Sequence, residues 1–333
     1  MRSRRAFITL LSGAAASWPL AARAQQGGPV RRVGVLMGTA ATDAEYQSYL
    51  AAFTQGLRQL GWIEGQNLRV EVRWTDADAG LARIYAAQLI GLTPDVIVTV
   101  TTINLIAIQR ATNTVPVVFL QVSDPVVQGF VASMSRPGGN LTGFSSYEFS
   151  VGGKWLRLLK ETAPGIERVA IMFNPDEAPQ SKFFVQAIED TSRSVGVQPT
   201  VVPVLAATDI ETNLASFARV PNGGLILPTS IFTSSRFSLI AEVAGRYRLP
   251  SIAAQAGFAR QGGLMEYGSS IEWMDEFQRA ASYVDRILRD AKPSDLPVQG
   301  RDKYRFVINL KTAKTLGLTI PPGILAIADE VIE

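Results

Sequence analysis

The feature that most constrains the fold of this chain is an alternation of short apolar runs with amphipathic segments. Residues 33–37 form a β-branched apolar run, which is typical of a buried strand. Residues 46–60 carry apolar side chains at three- and four-residue spacing and end at Gly61, which predicts a helix with a glycine C-cap. The alternation continues with strands predicted at 68–74, 95–100 and 115–120 and helices at 81–89, 103–111 and 125–134. Strands that alternate with helices of this length predict an α/β fold, with a parallel sheet covered on both faces.

The pattern then starts again. Three pairs of positions correspond at offsets of 136, 135 and 134 residues: Arg32 and Arg168, Gly61 and Gly196, and Pro116 and Pro250. Each pair has the same place in the alternation, since the arginines open strands, the glycines follow helices and the prolines lie at strand starts. Two structurally equivalent lobes with parallel sheets are one interpretation of this repeat. Chance similarity between common apolar strands is the other.

The last third of the chain does not continue the repeat. An amphipathic helix is predicted at 271–290, then a polar connector, a strand at 304–309 and a short helix at 310–316 that Gly317 ends. A helix left over after the second lobe indicates that the chain returns to the first lobe and crosses again. The predicted N-terminal lobe is therefore 30–144 plus 270–303, and the C-terminal lobe is 145–269 plus 304–333. Several crossings of this kind form a hinge.

The first 24 residues have the composition of a secretory signal peptide. Arg2, Arg4 and Arg5 precede an apolar run, and small residues occupy the −3 and −1 positions before Gln25. The Arg4-Arg5 pair followed by Phe7 also resembles a twin-arginine signal, and an ordinary export signal with a chance arginine pair is the alternative. Both predict that the mature chain crosses the inner membrane into the periplasm.

Composition removes several classes of function. The chain has no cysteine and no histidine, which excludes disulfides, a cysteine for lipid attachment, Ser-His-Asp chemistry and the commonest zinc sites. Lys and Arg number 32 against 29 Asp and Glu, and four of the arginines fall in residues 1–24, so the mature chain is nearly neutral. A neutral chain has no electrostatic footprint for nucleic acid. We therefore expect no nucleic-acid partner and no direct membrane anchor.

No cofactor or metal motif is present. The glycines in residues 136–140 and 223–224 lack the spacing and the following helix of a phosphate loop. Four acidic residues that cluster along the chain lack the pattern of a calcium loop and are interpreted as solvated loop acids: Asp76, Asp78, Asp176 and Glu177. We expect neither a cofactor nor a metal.

The predicted binding residues lie at the carboxyl ends of the strands, where open parallel sheets bind ligands. These ends are rich in hydroxyls and amides, and most precede a predicted helix. Their candidate ligand contacts are Gly38, Thr39, Thr101, Thr102, Ser123, Asp124, Asn174, Thr229, Ser230 and Gln255. Helix N-termini with hydroxyl caps favour a carboxylate or another anion. For any one of these residues, capping without ligand contact is the alternative.

Asp124 has two interpretations. Its carboxylate could bind a ligand ammonium by a charge-assisted hydrogen bond, or it could cap a helix that begins at Pro125. Four aromatic residues at or near strand ends could stack on an organic ligand or pack the lobe edges: Trp74, Phe144, Phe232 and Tyr267.

Several motifs together resemble one family. They are Gly56-Leu-Arg-Gln-Leu-Gly61, Pro94-Asp-Val-Ile-Val98, Ser123-Asp-Pro125, Arg136-Pro-Gly-Gly-Asn-Leu-Thr-Gly143, Gly263-Leu-Met-Glu-Tyr-Gly268, Leu296-Pro-Val298, and Val307-Ile-Asn-Leu-Lys-Thr-Ala-Lys314 with Leu316-Gly-Leu318. Over residues 31–333 the chain resembles the substrate-binding proteins of ABC importers, in the group related to tryptophan- and tyrosine-type binding proteins.

The resemblance implies a type I periplasmic-binding fold of two Rossmann-like lobes, with three hinge crossings and a small solute between the lobes. It implies ligand contacts after Met37, Val100, Gln121, Phe173 and Leu227, and also at Gln255 and Tyr267. The chain differs from the family at residues 101–104, Thr-Thr-Ile-Asn, where relatives have a Gly-Gly-Thr-Pro-like turn. A second difference, at residues 300–303, alters a hinge-side segment.

The leading hypothesis is a periplasmic receptor, not an enzyme, that carries an amino acid or another organic carboxylate to an ABC permease in the inner membrane. An exported carboxylate-based enzyme is the alternative from another class, and it would need a facing pair of acids with different pKa values. A receptor that serves a sensor kinase is the third hypothesis.

Overall fold

The computed structural model describes residues 29–269, 273–300 and 303–333 of the 333-residue chain. The first of two sheets has five parallel strands in the order β2-β1-β3-β4-β5. Its elements are β1 (Arg31–Met37), α1 (Ala44–Gln59), β2 (Leu68–Trp74), α2 (Ala79–Gly91), β3 (Val96–Val100), α3 (Thr102–Ala111), β4 (Val117–Val122) and β5 (Leu141–Ser145).

The second sheet begins with β6 (Arg168–Phe173) and repeats the strand order of the first, as β7-β6-β8-β9-β10, before β11 and β12 extend it. Its elements are α4 (Val151–Thr162), α5 (Ser181–Val195), β7 (Gln198–Pro203), α6 (Ala207–Phe217), β8 (Gly223–Leu227), α7 (Ile231–Ser234), α8 (Phe237–Arg246), β9 (Ser251–Ala253), β10 (Met265–Ser269), β11 (Tyr304–Asn309), α10 (Leu310–Thr315), α11 (Pro322–Ile327) and β12 (Glu330–Ile332). The shared order agrees with the two equivalent halves predicted from the repeat.

Helix α9 (Trp273–Leu288) completes the core of the first sheet although it lies in sequence between β10 and β11 of the second. The ring of Phe277 in α9 stacks on the ring of Tyr49 in α1, with the ring centroids 5.3 Å apart. The two helices approach closely because Gly56 faces Ala281, and a Cβ on Gly56 would come within 2.8 Å of the Ala281 Cβ. The chain therefore returns to the first sheet, as the leftover amphipathic helix indicated.

Three passages of the chain connect the two sheets, after β5, after β10 and after α9. The predicted lobe boundaries at 269/270 and 303/304 adjoin residues outside the described ranges, so these boundaries stay a prediction. The predicted signal peptide also lies outside the described residues. Within the described ranges, no helix is both long enough and apolar enough to cross a membrane.

The helix predicted at 125–134 is wrong. Residues 125–129 form turns, because the N–H groups of Phe130 and Val131 both donate to the carbonyl of Pro125 and Gly129 adopts a φ of +75°. This left-handed backbone does not belong to a right-handed helix. The apolar side chains that imitated a helical face still contribute to the core, and Val131 is buried.

The second sheet departs from the predicted pattern in one pairing. Strands β10 and β11 run antiparallel, while the other strand pairs of the described residues are parallel. The reversal occurs because α9 lies between the two strands in sequence and packs on the other sheet, so the chain re-enters the second sheet from the opposite direction.

Candidate ligand-binding site

A cavity lies where the carboxyl ends of the strands of the two sheets face each other. Its empty volume, which includes solvent at its open mouth, is about 580 Å³. The first sheet and its helices contribute Tyr46, Thr101, Thr102, Ile103, Gln121, Ser123 and Trp273, the second contributes Glu177, Gln180, Thr229, Ser230, Ile231 and Gln255, and the passage after β5 contributes Ser146 and Tyr147.

The N-terminus of α3 forms the centre of the first wall. The first intrahelical bond comes from the N–H of Leu105, which donates to the carbonyl of Thr101. The N–H groups of the three preceding residues have no partner within the helix. The hydroxyls of Thr101 and Thr102 are buried without a hydrogen-bond partner, and Thr102 is only 2% exposed. Together these donors form a cradle for an anionic oxygen, at the positive end of the helix dipole.

Two contacts hold α3 in this position. Asn104 is fully buried, and its amide donates to the carbonyl of Leu36 at 3.3 Å while it accepts from Thr75 at 3.0 Å. Thr101 itself adopts a φ of +79°, which is strained for a β-branched residue, and its N–H donates to Leu120. Strain of this kind is found at functional sites, where the surrounding structure maintains it.

Gln121 places a second donor beside the cradle. Its φ is +55°, and its N–H donates to a carboxylate oxygen of the fully buried Glu276 at 3.2 Å. Its Oε1 accepts from the hydroxyl of Tyr46 at 2.8 Å, which leaves the buried Nε2 without a partner. Burial raises the pKa of the Tyr46 hydroxyl far above its ordinary value, so this hydroxyl stays protonated and donates.

Glu177 is the charged residue of the second wall. Its carboxylate accepts from the N–H groups of Ile231 and Phe232, the latter at 2.7 Å, and from the hydroxyl of Ser230 at 3.2 Å. These bonds connect the turn after β6 to the start of α7. Ser230 is held in turn by Gln255, whose Oε1 accepts from the Ser230 N–H at 3.1 Å.

In the described ranges, no lysine or arginine forms an ion pair with the carboxylate of Glu177. Burial raises its pKa to about 7, although three hydrogen bonds and the charge of Arg236 act in the opposite direction. Arg236 uses one guanidinium nitrogen on the Phe232 carbonyl and on Ser235. Glu177 is therefore a mostly buried acid whose charge the described residues compensate only in part.

Buried polar atoms without a partner converge on this cavity. Among the described residues that line it, five carry such an atom: Thr101, Thr102, Gln121, Gln180 and Thr229. Buried polar atoms are normally hydrogen-bonded, so a group of them around one cavity indicates a site that a polar ligand completes.

The structure brings six of the predicted contact residues to this cavity: Thr101, Thr102, Ser123, Thr229, Ser230 and Gln255. Five others do not line it: Gly38, Thr39, Asp124, Asn174 and Tyr267. Gly38 packs against Thr101, since a Cβ on Gly38 would come within 2.6 Å of the Thr101 Cγ2. Thr39, the next residue in the sequence, is buried. The side chain of Asn174 accepts from the N–H of Asp176 at 3.0 Å and so stabilises the turn that carries Glu177.

Asp124 and Tyr267 lie near the passage after β5. Asp124 lines a second cavity, and its carboxylate accepts from the N–H of Val127 at 3.2 Å, so it caps a turn where a helix was predicted. Ser146 and Tyr147 line both this cavity and the candidate site. Tyr267 stacks on Tyr304 with ring centroids 5.4 Å apart.

Sequence reasoning missed Tyr46, Gln121, Gln180, Tyr147 and Trp273, and it misassigned Glu177. The interpretation of Glu177 as a solvated loop acid is wrong, because the turn after β6 folds its carboxylate against α7. Its place a few residues after a strand end was the available signal. Tyr46 had a signal as well, since the first turn of a helix that follows a parallel strand lies at the ligand-binding edge of the sheet.

Nothing in this arrangement calls for a metal or a catalytic pair. In the part of the chain that the structure describes, no group of three or more acidic residues is placed to hold a metal ion. The lining contains one carboxylate, neutral hydroxyls and amides, and aromatic rings. The chemistry of this lining is suited to a polar organic molecule.

Two mainly parallel sheets covered by helices, with a cavity between their strand ends, form the type I periplasmic-binding fold that solved structures of similar fold share. Residues 36–332 match the ABC transporter substrate binding protein family, and the chain belongs to it. Members of this family bind solutes and are not enzymes, so the enzyme alternative is set aside.

The most similar relatives include a tyrosine-binding protein of Clostridioides difficile strain R20291, 27% identical over 80% of this chain and 75% of the relative. A conserved domain protein from Vibrio cholerae has a TM-score of 0.78 and 25% identity, over 91% of this chain and 99% of that one. An ABC domain from Streptococcus pneumoniae in complex with L-tryptophan has a TM-score of 0.76 and 21% identity over the same shares.

Proposed function

We propose that this chain is the periplasmic receptor of an ABC importer and that it captures an amino acid or another small organic carboxylate. Residues 1–24 have the pattern of an export signal, which supports the periplasmic location. The membrane partner is an ABC permease, which the receptor contacts transiently after the two lobes close on the ligand.

The observation that carries the proposal is the cradle at the start of α3. The unpartnered hydroxyls of Thr101 and Thr102 and the free N–H groups of the first turn are neutral donors that match the two oxygens of a carboxylate. Gln121 adds a further donor from the neighbouring strand. The aromatic rings of Tyr46, Tyr147 and Trp273 in the lining support a ligand with an apolar or aromatic side group.

The relatives support the same class of ligand. The similar protein of Clostridioides difficile is a tyrosine-binding protein, and the similar structure from Streptococcus pneumoniae holds L-tryptophan. The titration described below determines which amino acid is bound.

The test is calorimetric titration of the chain from Gln25 onward with the standard L-amino acids and with small carboxylates. A ligand present at a hundredfold excess over its dissociation constant stabilises the folded state by about 2.7 kcal/mol, so a thermal-shift screen selects the candidates. Recovery of the ligand unchanged is expected. If no carboxylate-bearing compound binds, the proposal fails.

A matched pair of variants locates the carboxylate. Thr102→Val removes the hydroxyl at nearly constant volume and should weaken binding on the order of tenfold, the size of one hydrogen bond to a charged group. Thr99→Val is the control, because Thr99 also has a buried, unpartnered hydroxyl but lies in β3 outside the cavity lining. Equal effects of the two substitutions would exclude the cradle as the carboxylate site.

A further inference from the structure

The two walls of the cavity differ in hydrogen-bonding character. The first wall presents groups that only donate, the N–H groups of α3 and the Gln121 amide nitrogen, together with two hydroxyls, which can donate or accept. The second wall presents acceptors: the Glu177 carboxylate and the buried, unpartnered Oε1 of Gln180. A ligand that bridges the cleft therefore meets donors at one end and acceptors at the other.

The acceptors of the second wall match an ammonium group. A carboxylate offers about four lone-pair positions, and the described contacts of Glu177 use three of them. An ammonium carries three N–H donors, and Gln180 and Thr229 line the same cavity with oxygens that have no partner. In number, the remaining acceptors on this wall match the three N–H donors of an ammonium.

Charge leads to the same conclusion. The described lining contains no lysine or arginine, and its one carboxylate belongs to Glu177. A carboxylic acid without an amine would bring a second negative charge beside the ionised carboxylate of Glu177, whose charge the described residues compensate only in part. A zwitterion would instead supply the missing positive charge, and a buried charge is stable only when it is paired.

We propose that Glu177 recognises the ammonium group of the ligand and makes this cleft selective for amino acids over carboxylic acids that lack an amine. This inference rests on the proposed function and narrows its ligand class. Glu177 also stabilises the start of α7, so it has a structural role in the second wall as well as the proposed contact with the ligand.

The first test compares each L-amino acid that binds with its des-amino analogue, for example L-tyrosine with 3-(4-hydroxyphenyl)propionate and L-tryptophan with indole-3-propionate. The wild-type chain should bind the des-amino analogue more weakly by a factor on the order of 10 to 100, the effect of removing a charged hydrogen-bonding partner. Equal affinity, or binding of carboxylic acids alone, would overturn the assignment of Glu177 and leave the proposed function intact. If neither class binds, the proposed function itself is wrong.

The second test assigns this selectivity to one side chain. Glu177→Gln keeps the size and one acceptor oxygen, so it should reduce the affinity for the amino acid on the order of tenfold. The affinity for the des-amino analogue should stay the same or rise, because the like charge is gone. Asp176→Asn is the matched control, because it removes the same charge from an exposed neighbour outside the lining and should leave selectivity unchanged. Undiminished selectivity in Glu177→Gln would exclude the role. The wild-type comparison decides the matter if that variant does not fold.

Discussion

The hydroxyl of Tyr46 donates to Oε1 of Gln121 at 2.8 Å, and this bond determines which end of the Gln121 amide faces the cleft. Tyr46 lies in the first turn of α1 and Gln121 near the end of β4, so the contact joins two elements that are 75 residues apart. With Oε1 occupied, Nε2 is the atom left for a ligand.

Tyr46→Phe should weaken ligand binding, because the Gln121 amide would no longer have a fixed orientation. The expected loss is about threefold to tenfold in affinity, the size of one neutral hydrogen bond, measured by calorimetry. Tyr85→Phe is a suitable control, since Tyr85 lies on α2 and is outside the lining. Unchanged affinity in Tyr46→Phe would mean that Gln121 does not contact the ligand.

Gly38→Ala should lower both stability and affinity although Gly38 does not line the cavity. The new Cβ would come within 2.6 Å of Thr101 Cγ2 and would displace the strained residue that starts α3. Overpacking of this kind costs about 1–3 kcal/mol in the free energy of unfolding, which denaturant titration measures.

Gly91→Ala provides the comparison for this substitution. Gly91 is helical, and a Cβ there would meet no atom within 4 Å, so the change should be neutral or stabilising. Normal ligand affinity in Gly38→Ala would show that Thr101 can shift without consequence for binding.

The stability of the unliganded protein should depend on pH through the protonation of Glu177. Its pKa is raised by burial from 4.5 to about 7, so the folded state binds this proton more tightly than the unfolded state does. Stability should therefore rise as the pH falls from about 8 toward 5, the reverse of the usual behaviour of a salt-bridged acid. Affinity for an ammonium-bearing ligand should fall over the same range, because protonation removes the negative charge.

Thermal unfolding of the wild type and of Glu177→Gln at several pH values checks this. Among the described residues, Arg236 before α8 and Tyr46 on α1 act on Glu177, and the raised pKa of Tyr46 keeps its hydroxyl neutral between pH 5 and 8. Burial also raises the pKa of Glu266, which contributes to the pH dependence of both proteins. The contribution of Glu177 is therefore the difference in stability between the wild type and Glu177→Gln at each pH. Parallel curves for the two proteins would contradict the prediction.

Asp124→Ala should leave ligand binding intact and reduce stability by about 0.5–1 kcal/mol, because the carboxylate caps the turn before Val127 and lines the other cavity. Calorimetry and a thermal melt on the same sample separate the two effects. Loss of binding in a folded variant would instead favour the ammonium-binding interpretation of this residue.

Export should remove the first 24 residues and leave Gln25 at the mature N-terminus. Mass spectrometry of the periplasmic fraction from cells that express the full chain measures this directly. Replacing Arg4 and Arg5 by lysine tests the twin-arginine interpretation, since that pathway depends on the arginine pair and a general export signal needs only positive charge. A full-length chain that stays in the cytoplasm would contradict the signal-peptide assignment.

Hydrophobic periodicity was sufficient to predict much of the fold. The strands at residues 68–74 and 304–309 have the predicted bounds, and the ends of α1, α2 and α3 lie within two residues of the predicted ends. These elements are defined by local spacing, which a sequence displays directly. The turns after Asp124 imitated a helix because their apolar residues happen to recur at helical intervals.

The candidate site was predictable only in outline. Hydroxyls such as Thr102 and Ser230 stand at strand ends, so topology alone brings them to the cavity. Gln121 and Glu177 depend on a positive φ and on a folded turn, which no periodicity encodes. Trp273 reaches the site because α9 returns to the first sheet, and that depends on packing between segments far apart in sequence.

The position of α9 also has a consequence for how the chain is assembled. The apolar face of α1 is covered by α9, whose residues are synthesised more than 200 positions later than those of α1. During synthesis the core of the first sheet therefore stays partly exposed until α9 has been made. The strands of the second sheet through β10 are synthesised before that point. The two halves therefore cannot complete their folding independently, one after the other. A chain truncated after β10 would lack Trp273 of the cavity lining and Glu276, whose carboxylate accepts from the N–H of Gln121. Capture of a ligand is thus possible only for a nearly complete polypeptide.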